Sequence, residues 1–504
     1  MNSVPFCGKY NLKKFEMTWQ IENFLEEKNN QLYINGVSAI ELAEKFDTPL
    51  FVFSESRIRH NIERLKRAEN FIDCPLKICY AAKANSNMAI LRTVKEAGAD
   101  LEVNSGGELW KALKIGFTGE QIIFNGTSKE VWEIENAINA EIYTIQVDSL
   151  YELELIEKVA RRLKKRANVS LRLVPEIETN THSGLQTALL TSKFGMMPDE
   201  ALSAFHQYKA SKNLNLCGVH LHIGSQNPNL EPYTEAFKTL FENLVQIHAE
   251  TGIKLLHINL GGGFPVNYLR DDSHEKFFPD ATREMFAANF EPADAIKHAW
   301  KTVKESANAS NATHLLENIT LLLEPGRSVI SDAGICLTKV RNRKERPINK
   351  SRVKSQESRE SDFNSPLSTL HSPLSTDTWL LTDAGFNILL SMETYKWYYH
   401  LISASRAAEK HDFPYKLAGP LCDGGDVYFD IEGLNRLPDY RLLPENVQPD
   451  EILALLNCGA YSIAQMFQYN GRFLPAVVLI TEDKMVELIR QRDNFEDLIT
   501  NDIW

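Results

Sequence analysis

The stretch LKICYAAKANSN, residues 76–87, decides the fold. Leu76 to Ala82 form a short, largely apolar run that reads as a buried strand. The run then delivers a single lysine, Lys83, into a polar turn. Lysine is rarely buried without a partner, so two readings stand. Either the strand ends on a lysine that reaches back to water, or the amine is held in a pocket for Schiff-base chemistry with a carbonyl cofactor. The rest of the chain has to decide between them.

Working outward, runs of the same kind recur: LEVN (101–104), QIIFNG (121–126), TIQVDS (144–149), VSLRLVP (169–175), GVHLHIG (218–224), HINLGG (257–262) and LLLEPG (321–326). Amphipathic stretches separate them. In one, EPYTEAFKTLFENLVQIHAETG, Phe237, Leu240, Phe241 and Leu244 recur at helical spacing. Eight strands alternating with helices over about 250 residues predict a (β/α)8 TIM-type barrel. A doubly wound open sheet is the competitor, but no GxGxxG follows the first strand.

After residue 335 the rhythm changes. GICLTKVRN, TWLLTDAG, GDVYFD, EILALLN and AVVLITE follow one another without long helices between them, which predicts an antiparallel β domain. The expected division is therefore 1–48 packing with the β domain, 49–335 as the barrel and 336–504 as the β domain. Residues 343–376 are Ser-rich and charged, and they repeat SPLST at 365–369 and 372–376. Such a segment cannot bury enough apolar area to offset its ordering entropy, so it reads as a disordered loop between two strands. A regulatory segment is the alternative.

Bulk properties narrow the function. The chain has 504 residues, 43% hydrophobic and 24% charged, as expected of a soluble globular protein of two domains. A net charge of −12 argues against a nucleic-acid surface. No apolar run is long enough to span a membrane, and the first twenty residues lack the apolar core of a signal peptide. Seven scattered cysteines form no CxxC pair and no metal-ligand spacing, which predicts reduced thiols, a cytoplasmic home and no metal.

In such a barrel, reactive groups gather at the C-terminal strand ends. Lys83 sits at one, His222 and Ser225 at another, Gly261, Gly262 and Gly263 at a third, and Glu324 and Arg327 at a fourth. Each has a plainer explanation: a tight turn for the glycines, a core position for His222, a surface ion pair for Glu-Pro-Gly-Arg. Together at one rim they describe a site for pyridoxal 5'-phosphate. Lys83 would anchor it covalently. The three glycines, Ser225 and Arg327 would hold the phosphate, His222 would stack on the ring, and Glu324 would keep the pyridine nitrogen protonated.

YAAKANSN, EVNSGGEL, HLHIGSQ, NLGGGFPVNY, LEPGR, LCDGGDVY and NCGAYSIAQMFQYNGR occur in this order. They resemble the fold-type III pyridoxal-phosphate decarboxylases, the group of diaminopimelate and ornithine decarboxylases. The likeness runs from about residue 45 to about 482 without the 343–376 insertion, and it implies an alanine-racemase-like barrel. It also implies that Tyr461 binds the phosphate and that Cys422 and Asp423 enter a partner's site in a homodimer. There Cys422 would protonate the α-carbon and Asp423 would meet the substrate's far end. Racemases of this fold place an arginine at the ring nitrogen, so Glu324 argues for decarboxylation; a racemase or a catalytically inactive relative are the alternatives.

Two departures stand out. Ser391 occupies the place of an arginine in diaminopimelate decarboxylases, where the run resembles GMNDLIRPALY, and Tyr395 lies four residues on. With Asp423 these are the expected substrate contacts. A serine lacks the charged fork a carboxylate prefers, and Glu393 nearby disfavours one further, so a diamino or modified amino acid is the expected substrate, with diaminopimelate still open. Glu102 stands where the family usually has Asp.

Overall fold

The computed structural model describes residues 19–174, 177, 192–270, 280–347 and 376–503, apart from 433 and 435 and the side chains of 280 and 281. Four strands precede the barrel: β1 (Leu25–Lys28), β2 (Gln31–Ile34), β3 (Val37–Ser38) and β4 (Leu50–Ser54). The barrel is closed and all-parallel. Its strands are β5 (Leu76–Ala81), β6 (Asp100–Val103), β7 (Ile122–Phe124), β8 (Thr144–Val147), β9 (Ala167–Arg172), β10 (Leu214–His220), β11 (His257–Asn259) and β12 (Thr320–Leu323). Closure falls between β12 and β5, where Leu321 pairs with Leu76. Each of the eight strand-like runs in the sequence coincides with one barrel strand.

Inside the barrel, Cys79, Ile123 and Leu322 form a small apolar plug. The wall made by β8 to β11 is instead polar, with Gln146, Ser170, His220, His257 and Asn259 all buried. Gly218 pairs in register with His257, and a Cβ on it would lie 2.1 Å from the His257 Nε2 atom. A glycine at 218 is thus what lets the His257 ring lie inside the wall.

The second unit comprises β13 (Gly334–Pro347), β14 (Thr376–Thr382), β15 (Leu401–Ser403), β16 (Phe413–Ala418), β17 (Arg441–Leu443), β18 (Ile452–Leu455), β19 (Ala476–Ile480) and β20 (Val486–Arg490). Its pairings are mostly antiparallel; β14–β16 and β19–β4 are the parallel exceptions. Strand β4 lies between β13 and β19, so Leu50–Ser54 belongs to this sheet, although the sequence reading placed it with the barrel. The period-2 alternation of a strand explains how it serves both units. Phe51 and Phe53 join the core shared with the barrel, whereas Leu50 and Val52 join Phe24, Leu32, Ile34 and Leu42 beneath the N-terminal strands.

Two further expectations change. Arg343–Pro347 is ordered strand, paired with Thr376–Leu380, because cross-strand backbone bonding orders a ribbon that apolar burial alone would not. Residues 348–375, the rest of the expected disordered insertion, lie outside the described residues. GDVYFD (425–430) is a turn with one bridge, Ala418 to Val427. It pairs only briefly with the end of β16, through Gly419 N–H to the Asp426 carbonyl (2.9 Å) and Tyr428 N–H to the Leu417 carbonyl (3.0 Å), while the Asp426 carboxylate accepts the N–H groups of Phe386 (2.9 Å) and Leu421 (2.8 Å) and curls the chain around itself.

Burial pushes the His257 imidazole down to about 3. The folded chain therefore refuses a proton that the unfolded chain accepts near pH 6.5. Stability from this source is present above about pH 6.5 and is lost as pH falls toward 3. Between pH 7 and pH 5 the loss is about 2 kcal/mol for a shift of this size. Urea unfolding of cofactor-free His257→Gln protein should show that much less pH dependence than the parent. Parallel pH profiles would rule out His257 as the source.

Candidate active site

Strand β5 is fixed to β12 at its end, where the Ala81 N–H donates to the Pro325 carbonyl at 3.0 Å. One turn later Lys83 projects into the barrel mouth with 43% of its side chain open. Its Nζ lies 3.8 Å from Oε1 of Glu102, which is itself fully buried. Desolvation pulls the ammonium down, but Glu102, Tyr461 and Glu324 together outweigh it and hold its pKa above the ordinary lysine value. The lysine thus sits among carboxylates, with one face open to a cavity.

Lys83, His222, Ser225, Gly263, Glu324, Arg327 and Tyr461 line that cavity. Arg327 is the best-anchored of them. Its Nε donates to Ser225 Oγ (3.2 Å) and its Nη1 to Tyr268 Oη (2.8 Å), while the guanidinium lies 4.3 Å from the Trp397 ring centroid and 5.0 Å from that of Tyr461. Tyr461 comes from the second unit and adopts φ +58°, and its N–H donates to the Ala84 carbonyl at 2.8 Å. Both units therefore build one wall.

The glycine run behaves differently from expectation. The Gly261 N–H donates to Asn259 Oδ1 (2.9 Å) and the Gly262 N–H to His222 Nδ1 (3.2 Å), so these two amides are spent inside the protein. A Cβ at Gly262 would sit 2.2 Å from the Glu324 carbonyl oxygen, and one at Gly263 2.5 Å from the Gly224 carbonyl. Gly261 and Gly262 thus serve close packing of strand ends, and Gly263 alone of the three lines the cavity. The Gly262 bond also makes Nδ1 of His222 an acceptor, which leaves any ring proton on Nε2. Burial holds His222 well below the usual histidine value, so the ring is neutral at pH 7.

Glu324 lies opposite the cationic wall. Asn259 Nδ2 donates to its Oε1 at 2.7 Å, and His220 Nε2 stands 3.4 Å from its Oε2. Burial penalises its charge, yet His220 and the Lys83 ammonium outweigh that cost and hold the carboxyl well below the usual range. Glu324 is therefore an anion at neutral pH.

Sequence reasoning missed Arg172, Asn259, His220, Tyr268 and Gly326. Arg172 ends β9, is 8% exposed and stacks 4.2 Å from the Phe194 ring centroid. Its charge lowers the pKa of His222 and opposes the rise at Lys83. A polar residue in the inward phase of a barrel strand was the available signal. Asn259 and His220 carried the same signal, each two residues before a residue singled out at its strand end.

Besides Gly261 and Gly262, four expected residues, Cys422, Asp423, Ser391 and Tyr395, do not line the cavity in the described chain. Cys422 and Asp423 lie on an exposed loop, where the Cys422 N–H donates to Asn470 Oδ1 at 2.7 Å and Tyr469 Oη donates to Asp423 Oδ2 at 3.2 Å. Ser391 is buried in the short helix Leu390–Thr394, and its carbonyl accepts the N–H groups of Tyr395 (3.1 Å) and Trp397 (3.0 Å). Trp397 then stacks on Arg327, which ties this segment to the cavity wall.

Comparison with known proteins gives a consistent picture. Residues 56–331 match the family model of the pyridoxal binding domain of pyridoxal-dependent decarboxylases. The diaminopimelate decarboxylase of Methanocaldococcus jannaschii is 34% identical over 485 residues, covering 95% of this chain and 96% of that one. Its counterpart from Aquifex aeolicus is 31% identical, covering 96% and 98%. A crystal structure of the M. jannaschii enzyme in co-complex with L-lysine superposes with a TM-score of 0.79 at 32% identity, over 97% of this chain and 99% of that one.

The cavity fits pyridoxal phosphate on its own chemistry. Ser225, Arg327 and Tyr461 carry donors of the kind a phosphate takes, the Lys83 amine faces the same space, and Glu324 supplies an anion of the kind a protonated ring nitrogen would pair with. Arg327→Lys keeps the charge but loses both the fork that reaches Ser225 and Tyr268 and the flat face that stacks on Trp397. Titration of cofactor-free protein with pyridoxal phosphate should then show affinity weakened about 10- to 100-fold. Unchanged affinity would place the phosphate elsewhere.

Proposed function

The chain belongs to the pyridoxal-dependent decarboxylase family, and we propose that within it the chain removes CO2 from a diamino acid whose far end is held as a cation. The observation that carries this reading is the character of the Cys422–Asp426 loop. Asp423 is exposed and oriented by Tyr469 and by the Gly425 N–H, which donates to its Oδ1 at 2.9 Å. Asp423 and Glu393 raise the pKa of Asp426, whose shift to about 6 is due first to burial. Lys396, three residues from Glu393, is paired with it at 2.8 Å, and Arg472 donates to the Pro420 carbonyl at 2.9 Å. A cluster of carboxylates suits a distal ammonium better than a distal carboxylate, and Ser391 offers no charge to the latter.

When bound, pyridoxal phosphate supplies a sink for the electron pair left as CO2 departs. Lys83 would anchor it, Arg327, Ser225, Tyr461 and Gly263 would hold its phosphate, Glu324 would keep the ring nitrogen protonated and His222 would cover the ring face. In one chain Cys422 and Asp423 stand apart from the cavity, so the reading includes a homodimer in which a second copy brings them to it. Cys422 of the partner subunit would deliver a proton to the α-carbon, and Asp423 of the partner subunit would meet the distal ammonium. The setting is cytoplasmic on this reading, in keeping with six cysteines that are free thiols among the described residues.

Purified, pyridoxal-phosphate-loaded protein should be offered meso-diaminopimelate, ornithine, lysine and arginine, the last three as both enantiomers, with product and CO2 followed by mass spectrometry. Turnover is expected for an acid that lacks a distal carboxylate, with Asp423→Asn lowering kcat/KM at least 10-fold. Turnover of diaminopimelate alone, which carries a carboxylate beside its distal ammonium, would overturn the expectation of an acid without a distal carboxylate and leave decarboxylation intact.

A further inference from the structure

Glu102 sits directly under the anchor lysine. It projects inward from β6, is fully buried, and places Oε1 3.8 Å from Lys83 Nζ. Asn125 Nδ2 donates to that same oxygen at 2.7 Å, whereas Oε2 is buried with no hydrogen-bond partner. An unpartnered carboxylate oxygen inside a barrel is costly unless it has work to do. The groups that face it are Lys83 at the end of β5, Glu324 at the end of β12, Glu108 on the helix after β6, Arg172 at the end of β9 and Cys79 on β5. Burial, with Glu324 and Glu108 of like charge nearby, raises its carboxyl to about 7 against the pull of Lys83. The carboxyl can therefore exist in either state near neutral pH.

Lys83 poses the complementary problem. Its ammonium is stabilised by these carboxylates, yet only the free amine has the electron pair that attacks a carbonyl carbon. We propose that Glu102 is the proton acceptor for Lys83, its carboxylate, whose Oε1 lies 3.8 Å from Nζ, taking a proton from the ammonium and returning it when a substrate amine displaces the lysine. In the forward direction one N–H bond of Lys83 breaks, one O–H bond forms on Glu102, and the lone pair stays on Nζ. The amine then joins the cofactor's carbonyl carbon with loss of water. The reverse transfer restores the ammonium and the carboxylate, so Glu102 is unchanged over a cycle. This inference rests on Lys83 being the anchor.

Glu102→Gln conserves shape and can still accept from Asn125, but it cannot take a proton. The full chain, stripped of cofactor, would be mixed with pyridoxal phosphate in a stopped-flow instrument, and capture followed by visible absorbance from pH 6 to pH 9. The variant should capture about 100-fold more slowly at pH 7, and its rate should climb with pH toward the ordinary range of lysine. Glu102→Asp, which keeps a carboxylate, should recover most of the rate. Equal rates and equal pH profiles in Glu102→Gln and the parent would overturn the proposal. Lys83→Ala separates the two readings, since capture that survives it would sink the anchor assignment itself. Should Glu102→Gln not fold, infrared spectra of the parent decide the matter: a buried protonated carboxyl band that is present at pH 6, disappears by pH 9 and shifts in frequency in Glu102→Asp supports the proposal, and its absence at both pH values refutes it.

Discussion

Everything at the barrel mouth depends on balancing buried charge. Lys83, Arg172 and Arg327 bring three cations into a space that water reaches from one side, and Glu102, Glu108 and Glu324 oppose them. A buried charge without a counter-charge costs several kcal/mol, so no member of this set can be understood alone. The arrangement also sorts the carboxylates. Glu324, bonded to Asn259 and beside His220, is held as an anion, while Glu102, crowded by like charges and burial, is raised to the edge of titration. Two chemically identical groups acquire opposite tendencies from their neighbours.

That balance is fixed in place by the second unit. Trp397 stacks on Arg327 and Tyr461 reaches Ala84, so two aromatic residues from outside the barrel complete the wall around Arg327. Strand β4 provides the mechanical link, because its two faces enter two different cores and it cannot shift without disturbing both. Arg327 gains a further chain of bonds through Tyr268 Oη to Ser331 Oγ (2.7 Å) and on to the Asn457 carbonyl (3.0 Å). A cation gripped on this many sides is pre-organised for an anion and has little rotamer freedom left to lose.

The barrel was legible because strands buried on both faces write continuous apolar runs, and eight of them at regular spacing leave few topologies. Lys83, Glu324 and Arg327 were legible because they interrupt those runs at one end. Other features depended on contacts that sequence periodicity does not encode. The GDVYFD turn looked like a strand, but the Asp426 carboxylate gathers the Phe386 and Leu421 amides and curls the chain after one short pairing with β16. The three glycines looked like equals, but two of their amides bond within the protein and one faces the cavity. Arg172 was hidden in plain alternation, since VSLRLVP is an ordinary strand until the barrel closes and turns that arginine inward.

The exposed Cys422–Asp423 loop is better ordered than exposure alone requires. Asn470 fixes the backbone of Cys422, Tyr469 and the Gly425 N–H fix the carboxylate of Asp423, and Asp426 braces the loop from behind. Exposed loops held this firmly carry a conformational cost that folding does not reward, because little apolar surface is buried in exchange. Binding can reward it. On the proposed reading, the groups that distinguish one amino acid from another lie on one copy and the groups that hold the cofactor lie on the other. Substrate choice could then drift, as at Ser391, without disturbing the charge balance around Lys83.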